Sequence, residues 1–231
     1  MKLIKKICAA FVVMSTLLAS TSVSAYAALP VEKLSVSKTA NHIILIVGHK
    51  NNKNKVTVND YTKSSDGKWT KNWYVNGIAG TNGISTQKSE GDKKTPEGVF
   101  NAMFAFGLKD NPGSLLEYRK IGDGDYWVDD SNSAYYNTWV NTSKVKKDWA
   151  SAEDLKAAYP FYNYALALNY NTEAVPGKGS AIFIHCTKTD TDTSSAGCIR
   201  IPEDYMKKLV NGVDANTKIV IIQNVDKLSS Y

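Results

Sequence analysis

Residues 181–200 carry the side chains whose types and spacing best suit nucleophilic chemistry. Ala181-Ile182-Phe183-Ile184-His185-Cys186 is an apolar run with a histidine at its C-terminal edge, and Ser195-Ala196-Gly197-Cys198-Ile199-Arg200 follows after a polar loop. The first segment reads as a buried strand that delivers an imidazole to a surface, the second as a thiol held on a tight turn. A thiol needs a base or a cation to become a thiolate near neutral pH, and a neighbouring imidazolium lowers its pKa. Of the three histidines in the chain, only His185 shares a compact segment with cysteines. Cys198 is therefore the expected nucleophile and His185 its proton donor and acceptor. Cys186 follows His185 on the strand, so it should point to the opposite face as a small buried hydrophobe.

The neighbours of this pair carry secondary expectations. Gly197 permits a tight turn, and its backbone N–H, with that of Cys198, suits a developing oxyanion. Arg200 reads equally as an anchor for a substrate carboxylate and as a structural salt-bridge partner. Ser195 reads as a turn residue or as a hydrogen-bond partner of loop or substrate. A disulfide between Cys186 and Cys198 would consume the nucleophile, and a free Cys198 is expected. Zinc on His185, Cys186 and Cys198 lacks the spacing of a zinc site, and Asp123-Gly124-Asp125 and Asp190 with Asp192 lack the ligand pattern of a calcium loop. No metal and no cofactor are expected. His42 and His49 read as strand-end or surface residues. Asp129 and Asp130 suit either a substrate amine or a solvated turn.

These residues need a framework, and the hydrophobic pattern supplies a mainly β one. Residues 41–47, 55–59, 69–79, 180–185 and 218–223 read as strands, and Asp66-Gly67 as a hairpin turn. Helical patterns are few. Residues 151–155 resemble a capped helix start, and residues 202–210 a short helix with proline in its first turn. Residues 108–176 form an aromatic-rich insertion in which Tyr and Trp alternate with acidic and amide residues. Its aromatics suit a satellite core, or a cap over a groove that takes a sugar or peptide.

The chain has 231 residues and a net charge of +6. Lys2, Lys5 and Lys6 precede an apolar stretch from Ile7 to Leu18, and Ala25-Tyr26-Ala27 supplies small residues for cleavage. Residues 1–27 thus read as a secretory signal peptide, with cleavage after Ala25 or Ala27. Its removal leaves 28–231 as a single, mildly basic domain without a membrane span, expected outside the cytoplasm as a monomer. No Lys/Arg cluster is dense enough to suggest nucleic acid.

The two separated motifs together resemble the L,D-transpeptidase catalytic domain of bacterial cell walls, the YkuD-like fold. His185, a polar loop, then Ser195-x-Gly197-Cys198-Ile199-Arg200 is similar to that family's signature, and Gly91 to Phe100, with Thr95-Pro96-Glu97-Gly98 inside it, is similar to its Thr-Pro-x-Gly stretch. The resemblance spans about residues 42–223. It implies a β-sandwich with a few short helices, and acyl transfer on peptidoglycan stem peptides through a Cys198 thioester. The chain departs from the family in having Ala196 where histidine is usual and Cys186 where glycine is usual. Two alternatives stand beside a secreted cell-wall L,D-transpeptidase: an L,D-carboxypeptidase that uses water as acceptor, and a non-catalytic wall-binding protein. A papain-like protease is disfavoured, because its cysteine precedes its histidine in the chain.

Overall fold

The computed structural model describes residues 30–189 and 191–231; residues 1–29, which include the segment read from sequence as a signal peptide, and Asp190 lie outside the described residues. From the N-terminal side, β1 (His42–His49), β2 (Asn52–Lys63) and β3 (Trp69–Ile78) form an antiparallel meander. Two short strands, β4 (Ile84–Ser85) and β5 (Thr95–Pro96), pair in parallel and lead into β6 (Gly98–Phe100) and β7 (Ala102–Gly107). The insertion contributes β8 (Tyr118–Lys120), β9 (Asp125–Val128), β10 (Trp139–Asn141) and β11 (Ala152–Asp154). The chain closes with β12 (Ala165–Leu168), β13 (Phe183–Cys186), β14 (Ile199–Ile201), helix α1 (Glu203–Gly212) and β15 (Lys218–Ile222).

Ten of these strands make one sheet in the order β6-β15-β1-β2-β3-β14-β13-β12-β7-β8. A single register pair, Arg200↔Ile78, joins its two halves. Ile44, Ile46, Val56 and Val58 from one half share a buried cluster with Ala105, Leu166, Ile184 and Ile199 from the other, together with Met206, Leu209 and Val210 of α1. The halves therefore face each other as a β-sandwich, with α1 in the shared core.

Period-two alternation then dictates what the outer faces need. On β1, Ile43 and Leu45 point away from the shared core into a second cluster, closed by Val31 and Leu228 from the 3₁₀ turns at the two ends of the described chain and by Leu34 beside the first of them. On the other half, Phe104, Phe106, Ala165 and Phe183 turn outward and are covered by Trp127, Leu155 and Tyr162 of the insertion. Phe183 alone meets Trp127 at 4.8 Å, Phe106 at 5.1 Å and Tyr162 at 5.8 Å between ring centroids. Burying such a ring contributes roughly 1.5–3 kcal/mol. Trp127, Tyr136, Trp149 and Tyr162 of the insertion are thus core while Tyr159 stays exposed, and the same insertion also lines the site described below.

All five strands expected from the hydrophobic pattern are present, and the helix expected over 202–210 forms as α1, with Pro202 at its N-cap rather than in its first turn. The helix expected from residue 151 is not formed. Ala152, Glu153 and Asp154 pair instead with Val128, Trp127 and Tyr126 of β9. The acidic signal there caps a turn, since Asp154 Oδ1 accepts from the N–H groups of Lys156 and Ala157. Strand pairing with an already buried partner outweighs a local cap without an amphipathic stripe behind it. No helix among the described residues is long and apolar enough to cross a membrane.

Candidate active site

Strand β13 sets the two faces of the site. Cys186 turns into the shared core, fully buried, with its thiol 3.5 Å from the Tyr164 carbonyl. His185 turns to the insertion side, where Tyr162 and Phe161 stand edge-on at 5.1 and 5.8 Å. Its Nδ1 lies 2.9 Å from the Cys186 carbonyl oxygen. A carbonyl only accepts, so Nδ1 carries the proton and the neutral ring presents Nε2 as its lone pair.

Cys198 enters from the turn before β14. Its Sγ–H donates to the Ala181 carbonyl at 3.1 Å and its sulfur accepts the Phe183 N–H at 3.3 Å. Both Cys186 and Cys198 are free thiols. Cys198 and His185 line one small pocket of about 150 Å³ with Glu153, Phe161, Tyr162 and Arg200. Cys198 also lines a second pocket of about 200 Å³, walled by Glu90, Asp129, Glu153, Ser180 and Gly197. The thiol therefore stands where two compartments meet, and Glu153 borders both.

Electrostatics correct one expectation. Burial, with Glu153 adding to it, pushes the Cys198 thiol up to about 12. Burial, with the Arg200 charge adding to it, pushes His185 down to about 3. Among the described residues no hydrogen bond joins Cys198 Sγ to His185. The resting pair is thus a neutral thiol and a neutral imidazole. A thiolate–imidazolium pair would need solvation that this buried corner does not offer.

The loop 195–198 is tightly built. Ser195, 3% exposed, donates from Oγ to the Cys198 carbonyl at 2.7 Å and accepts the Gly197 N–H at 3.1 Å. Ser195 serves the loop, and the Gly197 N–H expected to face an oxyanion is committed to it in this conformation. Gly197 has φ +154°, and a Cβ there would stand 2.9 Å from the Lys94 carbonyl oxygen, so the position requires glycine. Arg200 lays its guanidinium 4.4 Å from the Phe161 ring centroid and 4.0 Å from Asp192, while its buried Nε lacks a partner.

Thr95 had no role assigned from sequence, although the Thr-Pro-x-Gly stretch flagged its segment. Fully buried, it donates from Oγ1 to the Gly197 carbonyl at 2.6 Å and accepts the Gly80 N–H at 2.8 Å. It thereby ties the first motif to the second. Glu153 was missed altogether, because the sequence placed it inside a helix. Its carboxylate accepts from the Tyr162 hydroxyl, and burial raises its pKa. His42 bridges Asp60 and Thr217 far along the sheet, and His49 meets Thr57; neither lines the two thiol pockets. Among the described residues no group of three His, Cys, Asp or Glu side chains is placed to hold a metal ion.

With this geometry in view, the chain matches the L,D-transpeptidase catalytic domain family over residues 45–221. It belongs to that family. No curated protein matches. Among solved structures, it is similar to the helical cell shape determining protein Pgp2 from Campylobacter jejuni, at 19% identity and a TM-score of 0.43 over 87% of this chain and 60% of that one. An L,D-transpeptidase from Stackebrandtia nassauensis gives 14% identity and a TM-score of 0.36, over 84% of this chain and 63% of that one. A mutant L,D-transpeptidase from Enterococcus faecium gives 15% and 0.34, over 79% and 49%. The chain thus spans between about half and just under two thirds of these proteins.

Proposed function

We propose that this chain is an exported cysteine L,D-transpeptidase acting on peptidoglycan stem peptides. The observation that carries the reading is the position of Cys198, a free thiol at the junction of two pockets, one of them shared with His185, inside a domain of this family. Two compartments around one nucleophile suit a reaction with two substrates in turn.

The Cys198 proton passes to His185 Nε2 as sulfur attacks the peptide carbonyl. The C–N bond then breaks, and the imidazolium protonates the departing amine. In the second half an acceptor amine attacks the thioester carbon. Its proton returns through His185 to sulfur as the C–S bond breaks. A neutral resting pair fits this order, since the thiol is deprotonated only when the carbonyl arrives. The backbone N–H of Cys198 is the donor we assign to the oxyanion, because the Gly197 N–H is held by Ser195. Arg200, on the wall beside His185, is assigned to a substrate carboxylate through its unpartnered Nε.

Purified tetrapeptide muropeptides test the proposal. Cross-linked dimers are the expected products. Tripeptides alone would mean that water is the acceptor and the chain is an L,D-carboxypeptidase. Unchanged substrate, with Cys198 free, would sink both readings in favour of a wall-binding protein.

A further inference from the structure

The larger thiol pocket is acidic to a degree its own structure does not compensate. Glu90, Asp129 and Glu153 all line it. Glu90 is met by the Tyr136 hydroxyl at 2.5 Å, and Glu153 by that of Tyr162. Neither partner is a cation. Lys88 lines the same pocket, but its side chain is 4% exposed and its Nζ is spent on Asp92 at 2.7 Å and on the Ser89 carbonyl at 2.7 Å. Lys93 stands exposed at the rim.

Two polar atoms of residues that line this pocket stand out. Asp129 Oδ1 is buried without a hydrogen-bond partner, and so is the Oγ of Ser180, a residue only 7% exposed. Buried oxygens left unpaired cost stability, so native structures seldom keep them without a use. Their neighbours separate function from scaffolding. Asp130, next in the chain, accepts from the N–H groups of Ala150 and Asn132 and closes a turn. Ser180 immediately precedes Ala181, whose carbonyl holds the Cys198 thiol. A ligand group seated on Ser180 and Asp129 is therefore beside the reacting sulfur.

We infer that this pocket binds the primary ammonium group of a substrate, with Asp129 and Ser180 as its direct acceptors and Glu153 and Glu90 supplying the surrounding negative charge. An alkylammonium has three donors and one positive charge, which matches unpaired acceptors in an anionic, partly desolvated wall. A carboxylate or phosphate would be repelled there. On the reading of the chain as an acyltransferase, on which the substrate assignment rests, such an ammonium belongs either to a side chain of the acyl donor or to the acceptor amine awaiting its turn.

A direct probe does not depend on that reading. Alkylation of Cys198 by iodoacetamide at about pH 9 is followed by peptide mass spectrometry with n-butylammonium present, a cation at that pH. 1-Butanol serves as the uncharged shape match. n-Butylammonium should slow alkylation several-fold and 1-butanol should not. Asp129→Asn should raise the half-protecting concentration about tenfold and Ser180→Ala about threefold, the latter covering the case in which the aspartate variant does not fold. Equal protection by the two probes, or half-protecting concentrations unchanged in both variants, would overturn the inference. The source is read from ratios internal to each protein. A donor origin predicts that Asp129→Asn erases the preference for a free over an acetylated side-chain amine in acylation. An acceptor origin predicts a fall in the ratio of aminolysis to hydrolysis instead. Protection by n-butylammonium without peptide acylation would refute the transpeptidase reading and leave the ammonium site standing. Protection lost in Asp129→Asn with both ratios unmoved would refute a substrate role for the site.

Discussion

At the scale of single residues, burial governs the chemistry. A thiol raised to about 12 gives a sharp expectation: Cys198 should alkylate more slowly than a free cysteine at pH 8, with its rate still rising above pH 9. A rate profile with a midpoint near neutrality would show an ion pair instead. His185 supplies a second expectation, through stability. Its pKa is depressed, from 6.5 to about 3, so the unfolded chain binds more protons between those values. This contribution is complete above pH 6.5 and is lost as pH falls toward 3, with a slope on the order of 1.4 kcal/mol per pH unit. His185→Gln, which cannot take up that proton, should flatten acid destabilisation between about pH 6 and 4, measured by chemical unfolding. That His185, Ser195, Cys198 and Arg200 line one pocket, and Gly197 with Cys198 the next, follows the grouping readable in two short motifs. Their protonation states were not readable there. Depth of burial comes from Phe161, Tyr162 and Glu153, which lie far upstream in a segment without a motif.

At the scale of elements, the question is what holds the 195–198 loop against β13. Thr95 on β5 does so from the opposite side of the sequence, through the Gly197 carbonyl. Thr95→Val keeps the shape but strands the Gly197 carbonyl and the Gly80 N–H, at a cost of about 1–3 kcal/mol. We expect a lowered melting temperature and acylation by a tetrapeptide slower by about tenfold or more, with Thr95→Ser restoring most of both. A variant with wild-type acylation would show that the loop holds itself. Strands were legible wherever an apolar run was continuous, as in β1 and β15. β11 was illegible because Ser-Ala-Glu-Asp is locally a helix start, and only the tertiary pairing with β9 makes it a strand. That one error of element type hid Glu153, which points into the site from the strand.

At the scale of the whole molecule, the aromatic insertion decides whether the second half of the sandwich has an outer core. Trp127, 4% exposed, meets Phe183 and also donates from Nε1 to Asn137, which in turn accepts the Ala181 N–H beside the thiol. Trp127→Ala should cost about 3–5 kcal/mol and lower the single unfolding transition of the domain. An insertion that merely caps a finished fold would lose substrate binding and keep its melting temperature. Composition alone named the aromatic density of this segment but not which face it would cover, since that follows from Phe104, Phe106 and Phe183 pointing outward together. Everything in the site converges on one atom, Cys198 Sγ. The most direct measurement is intact and peptide-level mass spectrometry after rapid acid quench of the protein with a donor tetrapeptide. The account predicts a thioester of the tripeptide acyl group on Cys198, retained in Cys186→Ala and absent in Cys198→Ala. An adduct on Cys186, or turnover that persists in Cys198→Ala, would contradict it.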